Sequence, residues 1–185
     1  MKVMVFDIYT LVEVIWLILP AYAANGLAPL AGKLRKLHPI DSGRKLEKER
    51  VFGDGKTWEG LGLGVVVAVI ISIVQMLAHP FLPWSLSPIA LAITPMGPAL
   101  GLLLGLGAMF GDLAGSFIKR RFRIPRGRPA PLLDQEDFLI GSLIFASALV
   151  VVSLEWWILL LVITPVIHWV ANLIGYMLRV KKEPW

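Results

Sequence analysis

The sequence predicts an all-α polytopic membrane protein with five transmembrane helices. Three observations predict it. Apolar residues make up 57% of the chain and charged residues only 17%, a balance that an ordinary soluble surface does not carry. Mean hydropathy is +0.74, again too high for such a surface. Several stretches run 17 or more residues without a charge, the length a membrane-crossing helix needs. The chain has no cysteine, which excludes disulfides, thiolate metal sites and thiol nucleophiles.

The elements follow in order. The first span is expected over Phe6 to Ala24. Asp7 and Glu13 interrupt it and only one lysine precedes it, so it reads as a retained helix rather than a cleaved signal peptide. The second, Leu61 to Ala78, is the cleanest. The third, about Ile89 to Phe110, contains Pro95, Gly97 and Pro98, which predict a kink or a wide helix. Phe138 to Leu154 and Trp156 to Leu178 complete the five. Trp84, Trp156, Trp157 and Trp185 fall near span ends, as an interfacial belt does. Gly97, Gly101 and Gly105, then Gly107, Gly111 and Gly115, repeat at four-residue spacing. Such stripes serve close helix packing or leave a groove for a lipid chain, and both readings stand.

Orientation follows from charge. Seventeen of the 18 basic residues fall in the loops after spans one and three or after span five, leaving Lys2 alone on the other side. The positive-inside rule then puts the N-terminus outside and the C-terminus in the cytoplasm of a multi-pass cell-membrane protein. The hydrophilic mass is confined to cytoplasmic loops 29–60 and 118–137, neither long enough to bury a core of its own. The whole chain, residues 1–185, is therefore expected to be one membrane-embedded domain with its site at the cytoplasmic face.

Three polar clusters gather at that face. Asp112, Ser116, Lys119 and Arg120 sit at i, i+4, i+7 and i+8, so a helical continuation of span three puts them on one side, followed by Arg121. An acid, a hydroxyl and cations on one stripe suit a metal-bound phosphate; lysines and arginines there also serve as headgroup anchors. An acid as deep as Asp112 is costly without a partner. Asp134 and Asp137, three apart, precede span four. They suit either a helix N-terminus or the paired carboxylates that hold Mg2+ for phosphoryl transfer. Lys56 and Thr57, in FGDGKTWEG, stand directly before span two and could bind phosphate at its N-terminus. This is no Walker A loop, because Arg50 occupies the first glycine position and no strand precedes. Asn25 lies where span one reaches the same boundary, suited to capping the helix or reading a polar ligand. Asp7 and Glu13 carry no assigned function, and His38, His79 and His168 do not accompany the acids.

The run Asp112-x3-Ser116-Phe117-x-Lys119-Arg120, closed by Asp134-x-x-Asp137, resembles the signature of the CDP-diglyceride synthetase family of membrane cytidylyltransferases. It departs from the bacterial and eukaryotic pattern in three places. Ala108 replaces a proline, a Lys-Asp pair is missing after Lys119-Arg120, and RGRPAP replaces a Pro-Gly-His-Gly-Gly stretch. These departures, with AANGLAPL, FGDGKTWEG and RGRPAPLLDQEDF, make the whole chain similar to the archaeal CDP-archaeol synthase branch. The resemblance implies a reaction. CTP and 2,3-bis-O-(geranylgeranyl)-sn-glycerol 1-phosphate would give the CDP-lipid and diphosphate, with Mg2+.

The residues suit that chemistry. A lipid phosphate is already an anion and needs no general base, only charge neutralisation and in-line positioning. Asp112, Asp134 and Asp137 are expected to hold Mg2+. Lys119, Arg120 and Arg121 would take phosphate, Lys56 and Thr57 the nucleotide, and Asn25 and Ser116 its orientation. The expected partners are CTP, an isoprenoid ether lipid phosphate and the bilayer, with no nucleic acid. The rivals are a CDP-diacylglycerol synthase acting on phosphatidic acid and, from a different class, a small transporter. A transporter would spread its acids through the membrane depth, whereas these gather at one face.

Overall fold

The computed structural model describes residues 7–177. The expectations for Phe6 as a span start, for Lys2, Leu178, Arg179, Lys181 and Lys182, and for Trp185 in an aromatic belt lie outside those residues. Among the described residues the architecture is five α-helices and one short hairpin: α1 (Ile8–Leu27), β1 (Lys45–Leu46), β2 (Glu49–Arg50), α2 (Trp58–Ala78), α3 (Pro98–Arg121), α4 (Leu133–Ala146) and α5 (Leu154–Met177). Four helices are long and apolar enough to cross a membrane: α1, α2, α3 and α5, the first two with their short 3-10 extensions.

The exception is α4. Its 14 residues rise only about 21 Å. The apolar run predicted as span four folds instead as this helix plus seven non-helical residues, 147–153.

The third span is also displaced. Pro95 and Pro98 do not kink a helix; α3 begins at Pro98 and runs unbroken through Lys119, Arg120 and Arg121. Proline disfavours helical backbone in the residue before it and is well suited to a first helical position. Residues 88–97 therefore run as a non-helical strap whose backbone polar groups are met by side chains. Glu13 accepts from the Ala92 N–H at 2.6 Å, and the Trp16 indole donates to the Thr94 carbonyl at 3.0 Å. The Ser72 hydroxyl donates to the Gly97 carbonyl at 2.7 Å. That is what Glu13 does in the first span. Asp7 caps the helix, accepting from the Thr10 N–H at 2.8 Å.

The core is one cluster shared by the helices, with Leu17 and Ile18 of α1, Ala68 of α2, Leu104 of α3, Leu139 and Leu143 of α4 and Leu160 of α5 all fully buried. In lipid such contacts gain little from the hydrophobic effect, so close approach must join the helices. The glycine stripes provide it. A Cβ on Gly101 would meet Ser72 and the Ala68 carbonyl, and one on Gly105 would meet Ala68. On another face of α3, Gly107 lies against Gly141, Gly111 against the Asp137 carbonyl and Gly115 against the Asp137 carboxylate. Packing toward α2 and α4 is thus the role of Gly101, Gly105, Gly107, Gly111 and Gly115, while a Cβ on Gly97, before α3, would meet only Met76 among the described residues.

Candidate active site

The loop before α2 forms around one carboxylate. Asp41, 5% exposed, accepts from the Gly43, Phe52 and Gly53 amides at 3.0–3.1 Å and from the Arg50 guanidinium. The Arg50 guanidinium holds the Asp41 carboxyl well below the usual carboxylate range; the three amides act in the same sense and burial opposes them. Arg121 fastens the hairpin to α3, donating to the Leu46 and Arg50 carbonyls at 2.9 and 2.8 Å while its guanidinium lies 5.1 Å from the centre of the Phe117 ring. Its head is committed there rather than to the acids.

The end of that loop is delivered to α3. The Ile40 amide donates to the Lys56 carbonyl at 2.9 Å, and the Thr57 hydroxyl caps α2 by accepting from the Gly60 amide at 3.1 Å. Lys56 then reaches Asp112, its ammonium donating to both carboxylate oxygens at 2.7 and 2.6 Å. Around this pair lies a cleft of about 260 Å³, whose walls include Asn25 and Pro29, Lys56 and Thr57, Asp112, Met109, Leu113 and Arg126.

A second ion pair lies beside it. Lys119 meets Asp134, whose other oxygen accepts from the Ala130 amide at 2.8 Å. Asp137 lies one helical turn further along α4, against Gly115 and within electrostatic reach of Asp112, Lys56 and Lys119. Ser116 is buried one turn beyond Asp112. Arg120 does not join them; it lines a smaller recess of about 110 Å³ with Arg121, Arg123 and the hairpin residues Glu47 to Glu49.

Among the described residues no three acids or histidines converge as a ready metal cage, since Asp112 and Asp134 each carry a lysine ammonium. Mg2+ normally takes one or two carboxylates and completes its shell with water and substrate phosphates. The hard-oxygen donors Asp112 on α3 and Asp137 on α4, within electrostatic reach of each other, suit that binding mode.

The family model described as CarS-like, CDP-archaeol synthase, matches residues 6–185. The chain belongs to this family. A CDP-archaeol synthase of Pyrococcus horikoshii is 46% identical over 176 residues, covering 95% of this chain and 97% of the relative. One from Pyrobaculum arsenaticum is 41% identical over 180 residues, covering 97% and 99%. A solved structure, described as an intramembrane enzyme for archaeal membrane lipids biosynthesis, superimposes with a TM-score of 0.73 at 36% identity. It covers 88% of this chain and 94% of that one.

Within this CDP-archaeol synthase fold, sequence reasoning missed three residues. Asp41 carried a signal, because an aspartate two residues before a glycine is an Asx-turn pattern. Arg126 was counted only as loop charge. Glu136, in the first turn of α4, has the placement of an acid that complements a helix dipole, yet both of its carboxylate oxygens are buried with no partner among the described residues.

Proposed function

We propose that this chain is the membrane cytidylyltransferase that converts CTP and 2,3-bis-O-(geranylgeranyl)-sn-glycerol 1-phosphate to CDP-2,3-bis-O-(geranylgeranyl)-sn-glycerol and diphosphate. One observation carries the reading. The charged cleft shares Ile40, Leu61 and Leu113 with an apolar groove of about 640 Å³ between the loop, α2 and α3, lined also by Trp58, Phe110 and Phe117. A charged cleft and an apolar groove with a common wall match a substrate that has a phosphate head and a hydrocarbon tail. The relatives named as CDP-archaeol synthases support the same reaction.

The lipid phosphate oxygen attacks the α-phosphorus of CTP; the new P–O bond forms as the bond to the β-phosphate oxygen breaks, and diphosphate leaves. No proton need be removed from the nucleophile. Lys56 and Lys119 neutralise phosphate charge once substrate competes for their ammonium groups; Arg120, which lines the separate hairpin recess, stands outside that set. The amide-rich N-terminus of α2, set by the Thr57 cap, faces the same cleft. Asn25, in the cleft wall, orients the nucleotide; Ser116, buried one turn beyond Asp112, acts only through the packing of α3, and Arg121 serves by pinning the hairpin. Asp112 and Asp137, with Asp134 beside them, would hold Mg2+, which supplies charge neutralisation on the triphosphate and the departing diphosphate.

The cleft faces the cytoplasm in this reading, with the N-terminus outside. The fifth crossing is α4 completed by residues 147–153, whose Val150 and Val152 pack against the core.

Calorimetry of detergent-purified protein with CTP, ATP, GTP and UTP, with and without Mg2+, tests the nucleotide half. Selective binding of CTP that requires Mg2+ is expected. Equal binding of all four, or of none, by folded protein would remove the reading.

A further inference from the structure

We infer that Arg126, outside the signature motif, is the residue of the cleft that grips the phosphate tail of the nucleotide. The inference rests on the cytidylyltransferase reading and adds a residue to it. Among the described residues two cations line the cleft, Lys56 and Arg126. Lys56 is already engaged with both oxygens of Asp112. Of the two carboxylates in the cleft walls, Asp112 is held by Lys56 and Asp54 by Arg50, at 2.6 Å each. Arg126, by contrast, has no hydrogen-bond or ion-pair partner among the described residues. Among the described residues the cleft thus offers one uncommitted positive charge, and it is a guanidinium, the group whose planar fork matches two phosphate oxygens at once.

Its seat is equally specific. A Cβ built on Gly55 would stand 3.2 Å from Arg126 Nε and 3.5 Å from Cζ. The absence of a side chain at residue 55 lets the guanidinium lie against the backbone next to Lys56. A triphosphate in the cleft would then meet Lys56 and Arg126 from adjacent backbone positions. A nucleoside monophosphate has too few phosphate groups to span both.

The test compares CTP and CMP binding, by calorimetry with Mg2+, to wild type, Arg126→Gln and Arg128→Gln, the last an exposed arginine of the same loop that is not among the cleft's lining residues. Arg126→Gln is expected to weaken CTP by about tenfold or more while CMP changes by less than about twofold. Arg128→Gln is expected to change neither. Gly55→Ala should reproduce the CTP-specific loss in milder form, at about two- to fivefold, by pushing the guanidinium aside. Unchanged CTP affinity in Arg126→Gln would overturn the inference. So would a parallel loss of CTP and CMP, or an equal loss in Arg128→Gln. A wild-type protein that binds no nucleotide would instead overturn the underlying reading.

Discussion

Lys56 and Asp112 form a chelated ion pair, with both carboxylate oxygens within 2.7 Å of one ammonium. The pair ties the residue before the α2 cap to the interior of α3, 56 positions later. Partly buried partners cannot be removed singly without leaving a charge uncompensated. Lys56→Met and Asp112→Asn should each lower turnover by about 10²-fold or more, measured as initial rate of CDP-lipid formation. Near-normal rates in either variant would mean that the pair is only structural.

Lys119→Arg separates anchoring from positioning. A headgroup anchor needs charge alone and would tolerate the change. Lys119 instead meets Asp134 in one geometry, and a guanidinium does not fit the space of an ammonium. Turnover is expected to fall roughly tenfold or more with thermal stability little changed.

The α3–α4 seam makes a steric prediction. A Cβ at Gly111 or Gly115 would collide with Asp137, whereas one at Gly62 meets nothing within 4 Å. Gly111→Ala should cost about 1–3 kcal/mol in detergent thermal melts and should also displace Asp137. Gly62→Ala should be neutral or slightly stabilising, because alanine is the better helix former.

The hairpin loop carries a pH dependence. Asp41 is held below its ordinary range chiefly by Arg50, so it binds fewer protons folded than unfolded. Its contribution is complete above the unfolded value of about 3.9 and is lost as pH falls through the lower folded value. Protease sensitivity of residues 34–57 should therefore rise as pH falls below about 4. Asp41→Asn should raise sensitivity already at neutral pH and flatten that acid response.

How much of this was legible in the sequence depended on range. The i, i+4, i+7 spacing from Asp112 was readable because α3 is one unbroken helix. The pairing of Asp112 with Lys56 was not, because it joins two elements through a loop whose course is set by Asp41. Periodicity likewise found the apolar run at 138–154 but could not see that its helix stops at Ala146. Pro95, Gly97 and Pro98 predict a kink or a wide helix from the sequence; α3 instead starts at Pro98, and strap residues 88–97 find polar partners on Glu13, Trp16 and Ser72. The direction of the Arg121 side chain, toward hairpin carbonyls and away from the acids, is a tertiary fact with no local signature.

Glu136 gives the last stability prediction. Both of its oxygens are buried with no partner among the described residues, and a carboxylate in that state opposes folding. Glu136→Leu should raise detergent melting stability by about 1–3 kcal/mol. A lower melting temperature would show that the carboxylate has a stabilising partner in solution.

The proposed transfer of a cytidylyl group to an isoprenoid lipid phosphate in the cleft around Lys56 and Asp112 is open to direct measurement. Purified protein should be given CTP labelled at the α-phosphorus, with the geranylgeranyl ether phosphate or with diacyl phosphatidic acid. Label is expected to enter the ether lipid in preference, with one diphosphate released per label, and Asp112→Asn is expected to lower both by about 10²-fold or more. Diphosphate release without labelled lipid, or equal labelling by the Asp112→Asn variant, would contradict the proposed transfer.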